Sequence, residues 1–293
     1  MKQAILITAY KNIHHLEEII NYFDKDFYFY IHLDKKSRIA GTELRKLSGI
    51  TNVKLVSRHY KTNWGGMNHL NCTLLLLREA LKQKETQYVH LISGHDFPIK
   101  SSEEIKNRMK LYNGKQFMEY FELPARVWPK GGMNRLLHYN FYDWINFKGR
   151  LGRGITTIQN MQEKIGFSRK LPAGFPKLYG GSTWWTLSAA CCNYVLNYIH
   201  DHPSFLRRFR FTFCAEEIFF QTLVLNSPFG VDVINDNLRF IDWEVRNGNS
   251  PANLDESDFQ KLKDSGKLFA RRFEYPVSQT LVNKLKAGKQ ERQ

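Results

Sequence analysis

The feature that most constrains the fold is the alternation, in the first third of the chain, of short apolar runs with helical periods. Apolar runs of strand length occur at 4–10, 27–34, 53–57 and 88–93, and helical patterns occur at 14–23 and 68–83. This order predicts a parallel or mixed sheet that is covered by helices. We therefore predict an α/β fold, in which ligands gather at the carboxyl ends of the strands.

The middle of the chain has no clean period. Residues 111–176 are rich in aromatic and basic side chains, which favours a binding loop or lid. Regular patterns then return, as a strand at 181–188, helices at 189–202 and 216–226, and a strand at 238–243. We expect one domain over 1–278, with a nucleotide-binding half up to about 110, an acceptor and catalytic half at 111–278, and a basic polar tail at 279–293.

Charge and composition limit the classes of partner. Lys and Arg number 43 against 28 Asp and Glu, a net charge of +15, but the cations are scattered along the chain. Scattered cations favour a phosphate-bearing small substrate over nucleic acid, so we expect no nucleic-acid partner. Aromatic residues at 14% supply rings that can stack on sugars. The four cysteines have no CxxC spacing, which predicts reduced thiols.

The amino-terminal segment and the apolar runs bear on location. The opening residues lack the apolar core and the cleavage site of a signal peptide, and no run reaches 18 apolar residues. We therefore expect a cytoplasmic protein without a transmembrane helix. The positive charge would suit peripheral docking on an anionic inner membrane face.

Several candidate site residues follow predicted strands or precede a helix. Asp34 ends the apolar run "YIHLD", Asp96 follows the strand in "LISGHDFPI", and Gly65 lies in "NWGGMN" before a long helix, where backbone could approach a ligand. His95 beside Asp96 is poor spacing for metal ligands, and no Asp-x-Asp stands at a strand end. We predict a site that needs no divalent metal and no cofactor.

Without a metal, arginine must meet the charge of a departing diphosphate. "KLFARRF" offers Arg271 and Arg272, and inward packing of Phe269 and Phe273 would turn one arginine toward the site. Two solvent-exposed arginines are the alternative. Arg246 in "DWEVRNG" is a second candidate cation.

"CAEEIFFQTL" places Glu216 and Glu217 in the first turn of a predicted helix. The helix dipole stabilises carboxylates there without any function. Because adjacent residues on a helix point about 100° apart, however, the two carboxylates cannot share one environment. One of them could face a cleft and act as a general base.

Read in order, eight segments resemble the core-2/I-branching β-1,6-N-acetylglucosaminyltransferases and peptide O-xylosyltransferases, which form glycosyltransferase family 14. They are "IHLDKKS", "WGG", "LISGHDFPI", "GSTWWTLS", "AEEIFFQTLVLNSPF", "NLRFIDW", "SPANLDESDFQKL" and "LFARRF". The resemblance implies a variant GT-A fold and an inverting, metal-independent transfer from a UDP-sugar. The chain would be a soluble, bacterial-type member of the family.

The resemblance also implies roles for individual residues. Glu217 matches the catalytic base, Arg272 the cation that meets the diphosphate, and Asp34 an aspartate that contacts the nucleotide. Trp243 and Glu119 match residues of the acceptor pocket. We add Asp96, Gly65 and Trp184 of "GSTWWTLS" as further site candidates.

The chain departs from the family where a second diphosphate-binding arginine is expected, because Asn249 stands there. Either Arg246 substitutes for that arginine or the site relies on Arg272 alone. Our hypothesis is transfer of a sugar, with β-linked GlcNAc first and xylose as the alternative, from a UDP-sugar to a hydroxyl of a glycan or lipid-linked glycan. A non-catalytic glycan-binding protein and a basic nucleic-acid binder remain alternatives from other classes.

Overall fold

The computed structural model describes residues 1–145, 152–172 and 174–290. The strands are β1 (Lys2–Ala9), β2 (Phe27–Leu33), β3 (Val53–Ser57), β4 (Thr86–Ser93), β5 (Asp96–Pro98), β6 (Gln116–Glu122), β7 (Tyr179–Ser188), β8 (Val233–Ile234), β9 (Arg239–Ile241) and β10 (Phe269–Arg271). The α-helices are α1 (Ile13–Tyr22), α2 (Gly41–Ser48), α3 (Asn68–Ala80), α4 (Ser102–Leu111), α5 (Asn134–Leu137), α6 (Gly152–Lys164), α7 (Ala189–Asp201), α8 (Pro203–Arg208), α9 (Glu216–Leu225), α10 (Phe259–Asp264) and α11 (Gln279–Gln290).

Within the described ranges, seven strands form the main sheet in the order β3-β2-β1-β4-β7-β6-β8. Only β7 runs against its neighbours, pairing antiparallel with both β4 and β6. The register places Ile7 of β1 beside Ile31 of β2 and Ile92 of β4. The predicted α/β fold, a mixed and mostly parallel sheet flanked by helices, is therefore confirmed.

The central strand β1 is apolar on both faces because helices cover both sides of the sheet. Ile5 and Ile7 pack in one core with residues of α1, α4 and α11. Ala4 and Leu6 pack in a second core with residues of α3, α7 and α9. The sheet is thus a rigid base, and the chain crosses its carboxyl edge after β1, β2 and β4.

A second, small sheet has the order β5-β10-β9, with β10 antiparallel to β5 and parallel to β9. Phe269 and Phe273 are buried, as predicted, and anchor the segment that holds the two adjacent arginines. The register of β10 places Arg271 opposite Asp96 of β5.

Two sequence-based predictions fail in local structure. The stretch at 111–176 contains β6, α5 and α6, so it is not one irregular loop. Residues 279–290 form α11 and not a frayed tail, because Leu281, Val282 and Leu285 lie on one helical face and are buried. The high content of Lys, Gln and Asn in that segment conceals the apolar stripe. The last three residues of the predicted tail lie outside the described residues.

All four cysteines lie in the described part of the chain, where each is buried and unpaired with another cysteine, as predicted. None of the described helices is both long enough and apolar enough to cross a bilayer.

Candidate active site

The first turn of α9 directs its two glutamates to different partners. Glu216 is buried, and its Oε1 lies 2.9 Å from His69 Nδ1. Glu217 Oε2 accepts a hydrogen bond from Arg135 Nη1 at 2.6 Å, and its Oε1 accepts one from Thr183 Oγ1 at 3.4 Å. The two carboxylates thus occupy separate environments, as the offset between adjacent helical residues predicts.

His69 connects this pair of carboxylates to the sheet. Its Nε2 lies 3.4 Å from Thr8 Oγ1 near the end of β1, so the imidazole bridges β1 and α9 from the first turn of α3. Burial by itself would lower the pKa of His69, but the Glu216 carboxylate and the hydrogen bond to it outweigh burial and raise that pKa. The contact with Glu216 therefore favours the protonated form of His69.

The surroundings of Glu217 make it a stronger base than an ordinary glutamate. Burial raises the pKa of Glu217 most, the neighbouring Glu216 raises it further, and Arg135 lowers it in part. A carboxylate with a raised pKa accepts a proton more readily once it is ionised. Arg135 keeps the ionised form accessible by supplying an opposite charge.

Arg135 is a site residue that the sequence did not reveal. Its guanidinium carbon lies 3.6 Å from the ring centroid of Trp128 and 5.1 Å from that of Phe213. The two rings hold the planar cation in place by cation–π contacts. In sequence, Arg135 is one cation among many in an aromatic and basic stretch, and no spacing separates it from the others.

Gly65 serves close packing beside the carboxylates. Its φ is +78°, and a Cβ there would lie 2.4 Å from the ring of Phe213. The Gly65 carbonyl accepts a hydrogen bond from the N–H of Cys214 at 3.0 Å, just ahead of α9. Gly65 therefore positions the segment that carries both glutamates. A direct contact with ligand stays a prediction.

The amino end of α3 does not offer the free backbone donors that "NWGGMN" suggested. The Asp143 carboxylate accepts hydrogen bonds from the N–H groups of Met67 and Asn68, each at 3.0 Å. A protein carboxylate thus takes the place that a ligand anion could occupy. Asp143 comes from a distant part of the chain, so local sequence could not show this.

Asp34 lies at the carboxyl edge of the main sheet, as predicted. Its backbone N–H donates to the Ala9 carbonyl at 2.8 Å. Its Oδ1 accepts hydrogen bonds from the N–H groups of Lys36 at 3.0 Å and Thr62 at 3.2 Å. These contacts join the ends of β1 and β2 to the loop after β3. Contact between Asp34 and a nucleotide stays a prediction.

The adjacent arginines of "LFARRF" have different partners, and neither is fully exposed. The Arg271 guanidinium carbon lies 4.4 Å from the ring centroid of Trp184, and its Nε lies 3.5 Å from Asp96 Oδ1. Burial raises the pKa of Asp96, and Arg271 opposes that shift. Arg272 Nη2 instead donates to Glu274 Oε2 at 2.9 Å.

The charge of Arg271 reaches His69, because it lowers the pKa of that imidazole. Asp96 and Trp184, both named as site candidates, therefore contact a cation that acts on His69, the partner of Glu216. The sequence assigned the diphosphate to Arg272. That assignment stays a prediction, and the structure adds Arg271, the last residue of β10, as a second cation directly before Arg272.

The other three candidates lie apart from the contacts of Glu216 and Glu217. Arg246 is held by Asp255 at 2.9 Å, by Asp258 at 2.7 Å and by Asp242 at 3.3 Å. Trp243 is 70% exposed. Glu119 Oε2 accepts a hydrogen bond from Asn237 Nδ2 at 3.0 Å, and burial raises its pKa. Their roles toward diphosphate and acceptor stay predictions.

Among the described side chains, one group has the spacing to hold a metal ion. The ligand atoms of Cys214, Glu216 and Glu217 lie within 4.8 Å of one another. Burial and then the two glutamates hold the pKa of Cys214 well above its usual value, so the thiol stays protonated and is a weak ligand. The carboxylates already contact His69 and Arg135. This donor set is a poor fit to a divalent metal, and metal independence stays a prediction.

The comparison with protein families gives the class of this protein. The family model for the core-2/I-branching enzyme matches residues 4–263. The chain belongs to the core-2/I-branching enzyme family, glycosyltransferase family 14, which confirms the resemblance of the eight sequence segments.

Curated relatives are named xylosyltransferases. A xylosyltransferase of Ciona intestinalis is 28% identical over 295 residues, covering 94% of this chain and 32% of the relative. Human xylosyltransferase 1 is 26% identical over 284 residues, covering 90% of this chain and 27% of the relative. The chain thus spans about a third or less of the length of these relatives.

Solved structures with a similar fold include residues 1–349 of S. aureus TarS, with a TM-score of 0.39 and 14% identity over 80% of this chain and 57% of that chain. Core-mannan synthase A of Aspergillus fumigatus gives a TM-score of 0.35 and 12% identity over 80% of this chain and 72% of that chain. Overlap at this level carries no inference about the site of this protein.

Proposed function

We propose that this protein transfers a sugar from a UDP-sugar to an acceptor hydroxyl, with inversion at the anomeric carbon and with Glu217 as the general base. The observation that carries the proposal is the environment of Glu217, a half-buried carboxylate whose pKa is raised and which Arg135 and Thr183 hold in place. Membership of a glycosyltransferase family supports it.

The chemistry is a single displacement. The acceptor hydroxyl gives its proton to Glu217 while its oxygen forms a bond to the anomeric carbon. The bond from that carbon to the UDP oxygen breaks on the opposite face, and the electron pair leaves with UDP. Two cations would meet the charge on the diphosphate. They are Arg271, the last residue of β10, and Arg272, which follows it.

His69 and Glu216 act by positioning. Because Glu216 is paired with His69, the charge of Glu216 beside Glu217 is partly balanced. The second oxygen of Glu216, Oε2, is buried and accepts no hydrogen bond from the described residues.

Two donors are to be tested first. The names of the relatives support xylose, and the motif resemblance to the branching enzymes supports GlcNAc in β linkage. We propose UDP-xylose as the first donor and UDP-GlcNAc as the second, with a glycan hydroxyl as the acceptor. Both donors use the same base and the same displacement.

The test measures release of UDP and formation of product from each donor, with EDTA and again with Mn²⁺. Glu217→Gln keeps the size of the side chain and removes the base, so kcat is expected to fall by about 10²- to 10⁴-fold while UDP affinity is unchanged. Activity that survives EDTA would support the metal-free site.

The matched control is Glu122→Gln, which neutralises a surface carboxylate paired with Lys177. Its kcat should equal that of the unmodified protein. If Glu217→Gln retains full turnover, Glu217 is not the base. If no UDP-sugar is consumed while a glycan raises the melting temperature, the protein is a glycan-binding module instead.

A further inference from the structure

A second candidate binding region lies beside the segment that carries Arg135. A cavity of about 390 Å³ is lined by Arg169, Lys170, Arg207, Arg208 and Arg210, together with aromatic rings and a serine. None of its lining residues is acidic. We call it the basic cavity.

No cation of the basic cavity forms an ion pair with a described carboxylate, although Arg210 acts on Asp143 from a longer distance and lowers its pKa. Among the described residues, no carboxylate oxygen lies within 4.0 Å of any of the five cationic groups, whereas most charged groups at the sheet edge are paired. Five positive side chains around one cavity repel one another. Their arrangement therefore costs free energy in the absence of an anion.

Backbone carbonyls fix two of these arginines in place. Arg169 Nη2 donates to the carbonyls of Arg208 at 2.8 Å and Arg210 at 2.7 Å. Arg208 donates to the carbonyls of Leu136, at 2.9 Å, and Lys170. Arg208 Nη1 is buried and makes no hydrogen bond to a described residue. The two guanidinium groups are thus held before any ligand arrives, and one donor is left over.

The cations of the basic cavity shift one another's pKa. Burial, and then the charge of Arg169, lower the pKa of Arg208 to about 10. The side chains of Lys170, Arg207 and Arg210 are exposed at the rim, where they can close on a ligand. An anion in the cavity would relieve the repulsion and gain charge-assisted hydrogen bonds.

Aromatic rings form the other part of the wall. Tyr139 stacks on Phe167 with ring centroids 5.6 Å apart, and the Arg169 guanidinium lies 4.7 Å from the Tyr139 ring. Phe211 meets Tyr139 edge to face at 5.4 Å. Cations beside ring faces suit a ligand with an anionic group on a flat apolar surface, such as the face of a sugar.

The basic cavity shares two chain segments with the carboxylates of α9. The N–H of Phe213 donates to the Arg135 carbonyl at 3.2 Å, and the N–H of Asn140 donates to the Phe211 carbonyl at 2.9 Å. Arg135 holds Glu217, and Phe211 lines the cavity. A ligand seated in the cavity would therefore touch segments that are hydrogen-bonded to the one that carries Arg135.

We propose that the basic cavity binds a phosphoryl group attached to a sugar, and that it anchors a phosphorylated acceptor. Its place in the acceptor site rests on the proposed function, whereas the binding of phosphate does not. The diphosphate of the donor has other cations, Arg271 and Arg272, at the sheet edge. The phosphoryl group can belong to a soluble phosphorylated glycan or to a lipid-linked one.

The test is titration calorimetry of inorganic pyrophosphate into the full chain with UDP at saturation, so that the donor site is filled. The cavity variant is Lys170→Gln with Arg207→Gln and Arg210→Gln, which leaves the carbonyl contacts of Arg169 and Arg208 in place. We expect pyrophosphate to bind the unmodified chain and to bind this variant about tenfold or more weakly, because each lost charged hydrogen bond is worth about one order of magnitude in affinity.

The matched control removes the same charge elsewhere, as Lys25→Gln with Arg78→Gln and Lys84→Gln, three exposed side chains away from the cavity. Its affinity should stay within about twofold of the original, since distant exposed charges are screened by salt. Absence of pyrophosphate binding under saturating UDP, or equal weakening in both variants, would overturn the proposal.

Further probes separate the source of the phosphate. Glucose 1-phosphate binding more tightly than inorganic phosphate would support stacking of the sugar on the rings, and equal affinities would refute it. Loss of binding to phosphatidylglycerol vesicles only in the cavity variant would support a lipid source. Transfer activity is measured in parallel, so a chain that binds pyrophosphate but transfers no sugar keeps the cavity and refutes only the proposed function.

Discussion

The cations at the sheet edge and those of the basic cavity differ in how their charge is balanced. At the sheet edge, Arg271 faces Asp96, Arg272 pairs with Glu274, and Lys36 lies 3.5 Å from Asp34. In the basic cavity, Arg169 and Arg208 are fixed by backbone carbonyls, and no carboxylate lies near them in the described structure.

The two regions should therefore differ in how a cation substitution changes the free energy of unfolding. At the sheet edge, removal of the cation from an ion pair would leave its carboxylate without that partner in a buried or half-buried position. In the cavity, removal of a cation leaves no uncompensated partner and relieves repulsion. Substitution of a cation should therefore lower stability in the first region and leave it unchanged in the second.

The largest expected effect is at Arg271. Arg271→Met removes the ion-pair partner of the fully buried Asp96 and leaves only the more weakly acting Arg239, and loss of one partner of a buried ion pair costs about 3–5 kcal/mol. Urea unfolding measures this loss. Arg272→Met should cost less, because Glu274 keeps Lys11 at 2.7 Å.

A second variant shows whether the cost comes from the uncompensated charge. Adding Asp96→Asn to Arg271→Met removes the buried carboxylate, and the free energy of unfolding should recover in part. If the double variant is as unstable as Arg271→Met, packing against Trp184 and not charge is the cause. The sheet edge would then not differ from the cavity in the way described.

The sequence predicts the sheet edge far better than the cavity. Asp34 and Asp96 could be found because they follow short apolar strands, and Glu217 because it lies in the first turn of an apolar helix. The α/β fold could be predicted from the same alternation of apolar runs and helical patterns. These signals are local, since each depends on a few neighbouring residues.

The partners of these residues come from distant parts of the chain. Arg135 reaches Glu217 across 82 residues, and His69 reaches Glu216 across 147 residues. The basic cavity draws on segments near 139, 169 and 208, in a stretch without a period. No spacing within one segment encodes such contacts, so only the folded chain shows them.

A smaller effect is expected in the basic cavity. Without ligand, the variant that combines Lys170→Gln, Arg207→Gln and Arg210→Gln should keep its free energy of unfolding within about 0.5 kcal/mol, or gain stability, as is usual for exposed substitutions that relieve like charges. Urea unfolding beside the matched control measures it. A loss above about 1 kcal/mol would mean that these cations have structural partners, and the contrast with the sheet edge would fail.

The smallest effects concern the pKa of Glu217, which depends on the charges of Arg135 and Glu216. The proposed mechanism needs ionised Glu217, so kcat should fall as pH drops through the raised pKa of that carboxyl. Arg135 lowers this pKa and Glu216 raises it. Arg135→Gln should therefore move the acidic limb of the kcat profile to higher pH, and Glu216→Gln should move it to lower pH.

Opposite shifts are the decisive outcome, because a general loss of structure would move both profiles in the same way or not at all. Arg126→Gln, which removes an exposed cation nine residues before Arg135, is the control and should leave the limb in place. If both Arg135→Gln and Glu216→Gln only lower kcat at every pH, their charges do not act on Glu217. Arg135 would then act on the site by packing against Trp128 and not by its charge.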